Sequence, residues 1–422
     1  MLKKLTIRNF KAIEDLTIEF TPMTVLIGEN SCGKSTVLQA LDFLASMAFR
    51  DIPEYLREKD WDFSSLKSQF KGMNEKPIEF ITEWNFLADG KNELLKWEIS
   101  VDITKKANDD QKGKYVIKEK IIRQNDGNII LIYPEERNEQ NKFALSLDQL
   151  NIQSSALKYV AGTSRNTGEV DKLSFFLSGS ANFELLSPDR LRSGKKLSFS
   201  KCVGAGGAAT AYFIHKLVKP EKTQLNKIVS ELIGSNVEIQ TFDQGSRVEL
   251  TLVVKKTDET IYIDSLHISD GLFRIIAYAA ITMDTIHKSD GGNNVYAAEP
   301  KKVYIDDVIT LKNGIILLDE VEDGINPYMT EKILLLLRNY AKEAKRQIIL
   351  TTHSPVILND FEPEEIVFMW KDKKGSVHAK KFFDTDEMKD TLEFLNPGEV
   401  WLNYSKDELI EKMNGNTTEN NK

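Results

Sequence analysis

A glycine-rich run near the start of the chain contains the residue types that bind a phosphate group. The run has the spacing G-x-x-x-x-G-K-S. Its glycines let backbone N–H groups close around an anion, Lys34 adds a cation for the β- and γ-phosphates, and Ser35 offers a hydroxyl ligand to Mg²⁺. We therefore predict a site for ATP and Mg²⁺ whose binding residues are Gly28, Glu29, Asn30, Ser31, Cys32, Gly33, Lys34, Ser35 and Thr36.

The residues on either side of this run predict the strand and the helix that such a site needs. Residues 24–27 are a short apolar run that is typical of a buried strand. Residues 35–44 carry leucines and a valine at helical spacing. A helix that begins at the loop directs the positive end of its dipole at the anion. The order of strand, loop and helix favours a phosphate site over a chance glycine-rich turn.

Two carboxylates follow a second apolar strand, which is predicted at residues 315–318. A buried strand end is rigid, so it can hold acids accurately. We predict that Asp319 is a ligand of Mg²⁺ and that Glu320 acts on the attacking water as a general base. With Lys34, these residues predict hydrolysis of a nucleoside triphosphate.

A histidine follows the next apolar strand, which is predicted at residues 348–351. One strand over from the acids, His353 is predicted beside the same nucleotide, where it can contact the γ-phosphate and the water. A lone histidine in a protein is more often a packing residue. The position directly after a strand favours the catalytic interpretation.

A second phosphate site is indicated by Ser269, Asp270 and Gly271, which open a long apolar helix. A serine hydroxyl, a glycine amide and a helix N-terminus together bind phosphate. Because the chain already has a phosphate loop, a second site implies that it faces the nucleotide of another subunit. The polar loop at residues 322–327 follows the acid pair and is a candidate to cross between subunits.

Composition limits the kinds of partner that the chain is expected to have. The net charge of −8 argues against a nucleic-acid-binding surface over the whole molecule. Two cysteines do not make a disulfide framework, and no apolar run reaches the ~18 residues of a membrane span, so a cytoplasmic protein is expected. A local basic cluster could bind nucleic acid or an acidic partner, or could be a solvated loop; its members are Arg190, Arg192, Lys195, Lys196 and Lys201.

These motifs, in this order, resemble those of the ATP-binding-cassette ATPases. The opening residues 7–11 and the Ser-Asp-Gly signature are similar to the soluble branch of AAA-type ATPases. That branch includes the heads of structural-maintenance-of-chromosomes (SMC) proteins and RecF, the OLD (overcoming lysogenization defect) proteins, and ATPases of bacterial anti-phage and abortive-infection systems. The resemblance covers residues 1–45 and 265–360, and is weak between them except at residues 186–190 and 203–207.

The resemblance implies an α/β fold with a mixed core sheet flanked by helices, an antiparallel β subdomain and an inserted α/β lobe. It also implies a head-to-head homodimer or higher homo-oligomer, with ATP between the phosphate loop of one subunit and Ser269–Gly271 of the other. By the same resemblance, Arg8 and Asn9 lie near the nucleotide. The predicted divisions are residues 1–134 (first half of the head), 135–264 (inserted lobe), 265–385 (second half of the head) and 386–422 (C-terminal helix and tail).

Three functions remain open from the sequence. The first is an ATPase whose ATP-driven dimerisation switches a separately encoded effector, a nuclease or a toxin, in anti-phage defence. The second is a RecF-like genome-maintenance ATPase that loads on DNA, and the third is a scaffold that binds ATP without hydrolysing it. The OLD nucleases carry a toprim domain after the ATPase, but only 68 residues (422 − 354) follow Ser354. We therefore expect the chain not to be a nuclease itself.

Overall fold

The structure is a computed structural model that describes residues 1–88, 91–103, 115–134, 152–161, 168–182, 186–196, 203–283 and 314–415. Its strands are β1 (Leu2–Phe10), β2 (Ile13–Glu19), β3 (Met23–Gly28), β4 (Ile78–Ala88), β5 (Lys91–Ile103), β6 (Tyr115–Arg123), β7 (Ile129–Tyr133), β8 (Ala181–Asn182), β9 (Val237–Asp243), β10 (Val248–Lys255), β11 (Thr260–Asp264), β12 (Ile315–Leu318), β13 (Gln347–Thr351), β14 (Ile366–Lys371) and β15 (Val377–Lys381). Its α-helices are α1 (Lys34–Ser46), α2 (Ile52–Lys59), α3 (Phe63–Leu66), α4 (Leu157–Val160), α5 (Gly168–Ser178), α6 (Pro188–Ser193), α7 (Thr210–Lys216), α8 (Lys219–Ile233), α9 (Asp270–Ile281), α10 (Pro327–Glu343), α11 (Asp386–Thr391), α12 (Pro397–Asn403) and α13 (Lys406–Asn414).

A six-stranded mixed sheet carries the predicted site. Its strand order is β15-β14-β3-β13-β12-β8, and every pair is parallel except β14 with β15. Strands β3, β12 and β13 are buried along their whole length, as their unbroken apolar sequences predict for a parallel sheet covered on both faces. Because β13 lies between β3 and β12, the three motifs that follow these strands meet at one edge.

An antiparallel sheet with the order β2-β1-β4-β5-β6-β7 packs beside the core sheet. Apolar and polar residues alternate along residues 2–20 and 78–133, which predicts antiparallel strands, and the structure confirms them. A buried glutamine joins the two sheets: the Gln347 Oε1 atom accepts from the Leu2 backbone N–H at 3.0 Å. Its Nε2 atom donates to the carbonyl oxygens of Leu2 at 2.8 Å and Thr21 at 2.9 Å. The N-terminal strand is thereby fixed to the strand that precedes His353.

Two hydrophobic cores lie on opposite faces of the mixed sheet. One contains α9, α10 and the inner faces of the C-terminal helices, and α9 is buried from Phe273 to Ile281. The other contains α1 and the antiparallel sheet. This arrangement confirms the predicted α/β fold with a mixed core sheet and an antiparallel subdomain. The four predicted chain divisions stay a prediction.

The region between the two halves of the head contributes a second antiparallel sheet, β11-β10-β9, with α6, α7 and α8 packed near it. Strand β11 leads directly into the Ser-Asp-Gly signature at the start of α9. β8 is described at Ala181–Asn182, and of the strand predicted at residues 183–186 only Leu186 is described, so that strand stays a prediction. Residues 183–185 and the hairpin predicted at 303–311 lie outside the described residues. Among the helices that the structure describes, none is long and apolar enough to cross a membrane.

Candidate ATP site

The phosphate loop connects β3 to α1 with a backbone that only glycine allows at two positions. Gly28 has a φ of +139°, and a Cβ atom built on it would lie 2.0 Å from the carbonyl oxygen of Met369 in β14. Gly33, directly before α1, has a φ of +102°. Side chains at these positions would require unfavourable backbone angles or would push the loop away from the sheet. The two glycines therefore set the shape of the loop.

Lys34 is the first residue of α1, and its side chain is buried. The ammonium group donates to the carbonyl oxygens of Gly28 at 2.8 Å and Glu29 at 3.0 Å, so it lies inside the loop. Burial lowers the pKa of Lys34, and the nearby acid groups of the site oppose that shift. A cation held in this position can interact with the anion that the backbone N–H groups of the loop bind.

Two hydroxyl groups converge on the first carboxylate of the acid pair. Ser35 Oγ donates to Asp319 Oδ1 at 3.1 Å, and Thr351 Oγ1 donates to the same oxygen at 2.6 Å. Thr351 Oγ1 also accepts from the backbone N–H of Glu320 at 2.8 Å. A serine hydroxyl beside a carboxylate oxygen fits the hard oxygen ligands that Mg²⁺ prefers. The sequence did not predict a role for Thr351, whose hydroxyl contacts the side chain of Asp319 and the backbone N–H of Glu320.

The second carboxylate and the histidine face each other across the edge of the sheet. Glu320 Oε1 lies 3.5 Å from His353 Nε2, and both side chains are partly exposed. Glu320 has a φ of +48°, which is unusual for a residue other than glycine and turns its side chain away from the direction of β12. The structure thus brings the three predicted catalytic residues, Lys34, Glu320 and His353, to one edge.

A third acid lies in the same cluster. Glu322 Oε1 accepts from the backbone N–H of His353 at 2.7 Å, and its Oε2 atom is buried without a hydrogen-bond partner. The carboxylate of Glu322 therefore fixes the position of the histidine's backbone. The sequence shows Glu322 two residues after Glu320 but predicts it only as part of the loop at residues 322–327, the candidate to cross between subunits.

The Ser-Asp-Gly signature lies at the surface. Ser269 and Asp270 are exposed, and Ser269 Oγ accepts from the backbone N–H of Leu272 at 3.4 Å, which caps α9. A hydroxyl that accepts a hydrogen bond can still donate its own proton. Gly271 is half-buried, and a Cβ atom built on it would lie 2.6 Å from the carbonyl oxygen of Gly324. The start of α9 thus presents its polar groups outward and touches the loop after the acid pair.

Two further side chains of α9 hold that loop. Arg274 is buried; its Nη2 atom lies 2.6 Å from Asp323 Oδ2, and its Nη1 atom donates to the carbonyl of Asp323. Arg274 Nε donates to the carbonyl oxygen of Leu186 at 2.8 Å. The hydroxyl of Tyr278 donates to the carbonyl oxygen of Val321 at 3.2 Å, and burial raises the pKa of that hydroxyl. The acid pair and the signature helix are therefore in direct contact within one chain.

The described contacts of Arg8 and Asn9 lie on the antiparallel sheet and the segment before β4, and their predicted place near the nucleotide stays a prediction. Arg8 pairs with Asp15 at 3.2 Å and with Glu79 at 3.4 Å on the antiparallel sheet. The amide of Asn9 is buried, and it binds four backbone groups of the segment that leads into β4: the N–H of Ser68 and the carbonyls of Met73, Lys76 and Pro77. No described contact joins either side chain to residues 28–36. These contacts depend on the local folding of that segment, which the motif did not reveal.

Lys11 is the residue of the opening motif that reaches the phosphate-loop helix. Its ammonium group donates to Gln39 Oε1 at 2.8 Å and lies 3.2 Å from the ring centroid of Trp61. Gln39 is one helical turn after Ser35. The sequence did not predict a role for Lys11, because its contact with Trp61 depends on the path of residues 59–66.

Two members of the predicted basic cluster form ion pairs with carboxylates of the same chain. Arg192 pairs with Asp270 at 2.5 Å, and Lys196 pairs with Asp243 at 2.6 Å. Lys195 is held by a backbone hydrogen bond to Ala208, and Arg190 is exposed. Lys201 lies outside the described residues. Because Arg192 and Lys196 have carboxylate partners, the described residues 186–196 do not form a continuous cationic surface.

A protein-family model described as "AAA domain, putative AbiEii toxin, Type IV TA system" matches residues 23–359. This range includes the phosphate loop, the signature, the acid pair and the histidine. The chain belongs to this family. Membership implies ATP binding and confirms the resemblance to P-loop ATPases that the motifs indicated.

Two curated relatives match over short ranges. The "OLD nuclease" of Thermus scotoductus is 41% identical over 44 residues, which is 10% of this chain and 8% of the relative. The "Septu protein PtuA" of Bacillus mycoides is 30% identical over 105 residues, or 22% of this chain and 15% of the relative. The matched part is thus a small fraction of either relative's length.

Solved structures match over most of the chain, with low sequence identity. An SMC head bound to the C-terminal winged-helix domain of ScpA has a TM-score of 0.49 at 14% identity, covering 90% of this chain and 96% of that one. A RecF recombination mediator structure has a TM-score of 0.38 at 15% identity, covering 90% of this chain and 98% of that one.

Proposed function

We propose that this protein is an ATP hydrolase whose ATP-driven dimerisation acts as a switch for a separately encoded effector in anti-phage defence. The observation that carries the proposal is the exposure of Ser269 and Asp270 at the start of α9. A phosphate-binding helix start at the surface is suited to the nucleotide of a second subunit. Family membership and the resemblance to OLD and abortive-infection ATPases support the defence role.

In the proposed reaction, each group at the sheet edge has one task. Lys34 and the N–H groups of the phosphate loop bind the β- and γ-phosphates and neutralise charge that develops between them. Ser35 and Asp319 would hold Mg²⁺, which supplies further neutralisation of the phosphate oxygens. Glu320 accepts a proton from the attacking water, and His353, 3.5 Å away, orients the carboxylate and the γ-phosphate.

The second function, a RecF-like ATPase that loads on DNA, has less support. Its predicted basic cluster is partly neutralised, because Arg192 and Lys196 have carboxylate partners. A DNA-loading ATPase would hydrolyse ATP faster in the presence of DNA. We expect the rate with added double-stranded DNA to equal the rate without it, and a stimulation of severalfold would favour the DNA-loading function.

The substitution Glu320→Gln tests the switch. Removing the general base should slow hydrolysis by about 10²- to 10⁴-fold while ATP still binds. We expect the variant to become a dimer in Mg·ATP and to be monomeric without nucleotide, as measured by size-exclusion chromatography with light scattering. In the same background, Ser269→Arg should block the dimer while nucleotide binding to the monomer persists. Equal monomer–dimer ratios with and without ATP in Glu320→Gln would contradict the switch.

A further inference from the structure

Arg192 connects the inserted region to the loop that carries the signature. Its Nε atom donates to the carbonyl oxygen of Ser265 at 3.2 Å. Its Nη2 atom donates to the carbonyl oxygen of Ile268 at 2.8 Å and to Asp270 Oδ1 at 2.5 Å. The guanidinium also lies 5.8 Å from the ring centroid of Phe273 in α9. One side chain from α6 thus binds the signature loop at three points, more than 70 residues away in sequence.

The loop between β11 and α9 depends on these contacts for its shape. Residues 266, 267, 269 and 270 are exposed, whereas Ile268 is buried. Two carbonyl oxygens of this short loop receive their hydrogen bonds from the guanidinium, whose rigid fork fixes several acceptors at once. The backbone N–H groups of His267 and Ile268 still donate to the carbonyl oxygen of Asp264, so loss of the fork would loosen the backbone before Ser269 only where Arg192 holds it. The orientation of the Ser269 hydroxyl and of the first N–H groups of α9 would then change with it.

Charge gives Arg192 a second effect on the same site. Asp270 is in the first turn of α9, next to the groups that we propose to bind a phosphate. A carboxylate there repels a triphosphate, and the repulsion is stronger where two subunits exclude water. The ion pair with Arg192 cancels this charge on the side of the loop that faces α6.

We propose that Arg192 is a positioning residue for the signature, and that it acts through Ser269–Gly271 on the nucleotide bound by the other subunit. This inference rests on the proposed function. It predicts that Arg192→Ala weakens ATP-driven dimerisation by about ten- to hundredfold, because a charge-assisted hydrogen bond is lost at the site where the loop must be rigid. ATP binding to the variant's own phosphate loop should be unchanged.

Two variants on the same helix provide matched controls. Arg190→Ala removes an exposed arginine two residues away and should leave dimerisation within twofold of the original protein. Arg192→Lys keeps the positive charge beside Asp270 but loses the fork that holds two carbonyls. We expect its dimerisation to fall between those of the original protein and Arg192→Ala. Binding of a fluorescent ATP analogue to each variant reports whether its own phosphate loop is intact and folded.

A mixing experiment shows on which nucleotide Arg192 acts. Lys34→Ala cannot hold ATP in its own loop but has an intact signature, whereas Arg192→Ala has the opposite defect. In a mixed dimer, the loop of the Arg192→Ala subunit meets the signature of the Lys34→Ala subunit, so one complete site forms. Equal mixing should restore at most about a quarter of the original ATPase rate, since half of randomly paired dimers are mixed and each has one of two sites.

The reference mixture is Lys34→Ala with Ser269→Ala, which removes the signature hydroxyl without adding a side chain that blocks the dimer, so it tests the dimer arrangement alone. If both mixtures recover activity, Arg192 acts across the interface as proposed. Recovery in the reference mixture without recovery in the Arg192→Ala mixture overturns the inference and leaves the proposed function standing. If the reference mixture stays inactive, the head-to-head arrangement is itself rejected, and the role of Arg192 is rejected with it.

Discussion

Glu119 is a fully buried carboxyl group in the antiparallel sheet, far in sequence from the ATP site. It accepts from the indole Nε1–H of Trp97 at 2.7 Å, the hydroxyl of Ser155 at 2.7 Å and the backbone N–H of Ala156 at 2.6 Å. Burial raises its pKa from 4.5 to about 7, and these hydrogen bonds oppose the shift. Glu119 therefore links the segment before α4 to β5 and β6. The strength of this link depends on whether the Glu119 carboxyl group is protonated.

The raised pKa predicts how stability depends on pH. Between pH 4.5 and about 7 the folded state binds more protons at Glu119 than the unfolded state does, so its contribution is fully present below 4.5 and is lost as pH rises through 7. We compare the unfolding free energy of the original protein with that of Glu119→Gln. The original protein minus the variant should be smaller at pH 8 than at pH 5. Urea unfolding at both values measures it, with the partly exposed Glu98→Gln as control. An unchanged difference would exclude a shifted pKa.

At the scale of residues, sequence motifs identified groups whose chemistry is local to a strand end. Asp319, Glu320 and His353 follow strands that apolar runs made visible, and the structure brings them together at one edge. Thr351 and Glu322 were missed, because their importance depends on hydrogen bonds between strands about 30 residues apart. Arg192 was assigned to a cationic surface because the sequence does not show which carboxylate a given arginine meets.

Among the elements, β1 and β13 belong to different sheets and are joined by Gln347. Its side chain makes three hydrogen bonds to the backbone of Leu2 and Thr21. Gln347→Leu leaves those buried groups unpaired and should destabilise the fold by about 2–4 kcal/mol, as measured by urea unfolding. Gln240→Leu is the control, because Gln240 is half-buried and bonds to Glu238 at 3.3 Å. Equal losses in both variants would contradict a specific link between the sheets.

Periodicity predicted most of the elements near the site. Alternating residues gave β1, β2 and β4 to β7, and unbroken apolar runs gave β3, β12 and β13, since each pattern reflects whether one or both faces of a strand are covered. The pairing of Ala181–Asn182 with β12 was not predicted, because it joins segments that are far apart in the sequence.

The whole molecule is expected to gain stability from its nucleotide. A ligand that binds only the folded chain stabilises it by about 2.7 kcal/mol at one hundred times its dissociation constant. Mg·ATP should therefore raise the unfolding temperature of the original protein, and Lys34→Ala should lose most of that gain. Excess EDTA added with ATP should remove the share of this rise in unfolding temperature that depends on Mg²⁺, which Ser35 and Asp319 are proposed to hold. A gain in Lys34→Ala equal to that of the original protein would show that nucleotide binds elsewhere.

The family resemblance carried by the order of motifs along the chain predicted the fold class. The sequence did not predict that the C-terminal region returns to the phosphate loop. Lys406, at the start of α13, lies 3.2 Å from Glu29 within that loop. Contacts between residues 377 positions apart leave no local pattern, so they became visible only in the folded chain.

At Gly271 the backbone of α9 lies directly against the carbonyl oxygen of Gly324 in the loop after the acid pair, with no side chain between them. Side chains normally absorb small displacements by changing rotamer, but here backbone meets backbone, and even one added carbon would come within 2.6 Å of the oxygen. A shift of residues 322–327 toward α9 would therefore displace the start of that helix. In the proposed dimer, each subunit would thereby transmit the state of its own ATP to the surface proposed to face its neighbour.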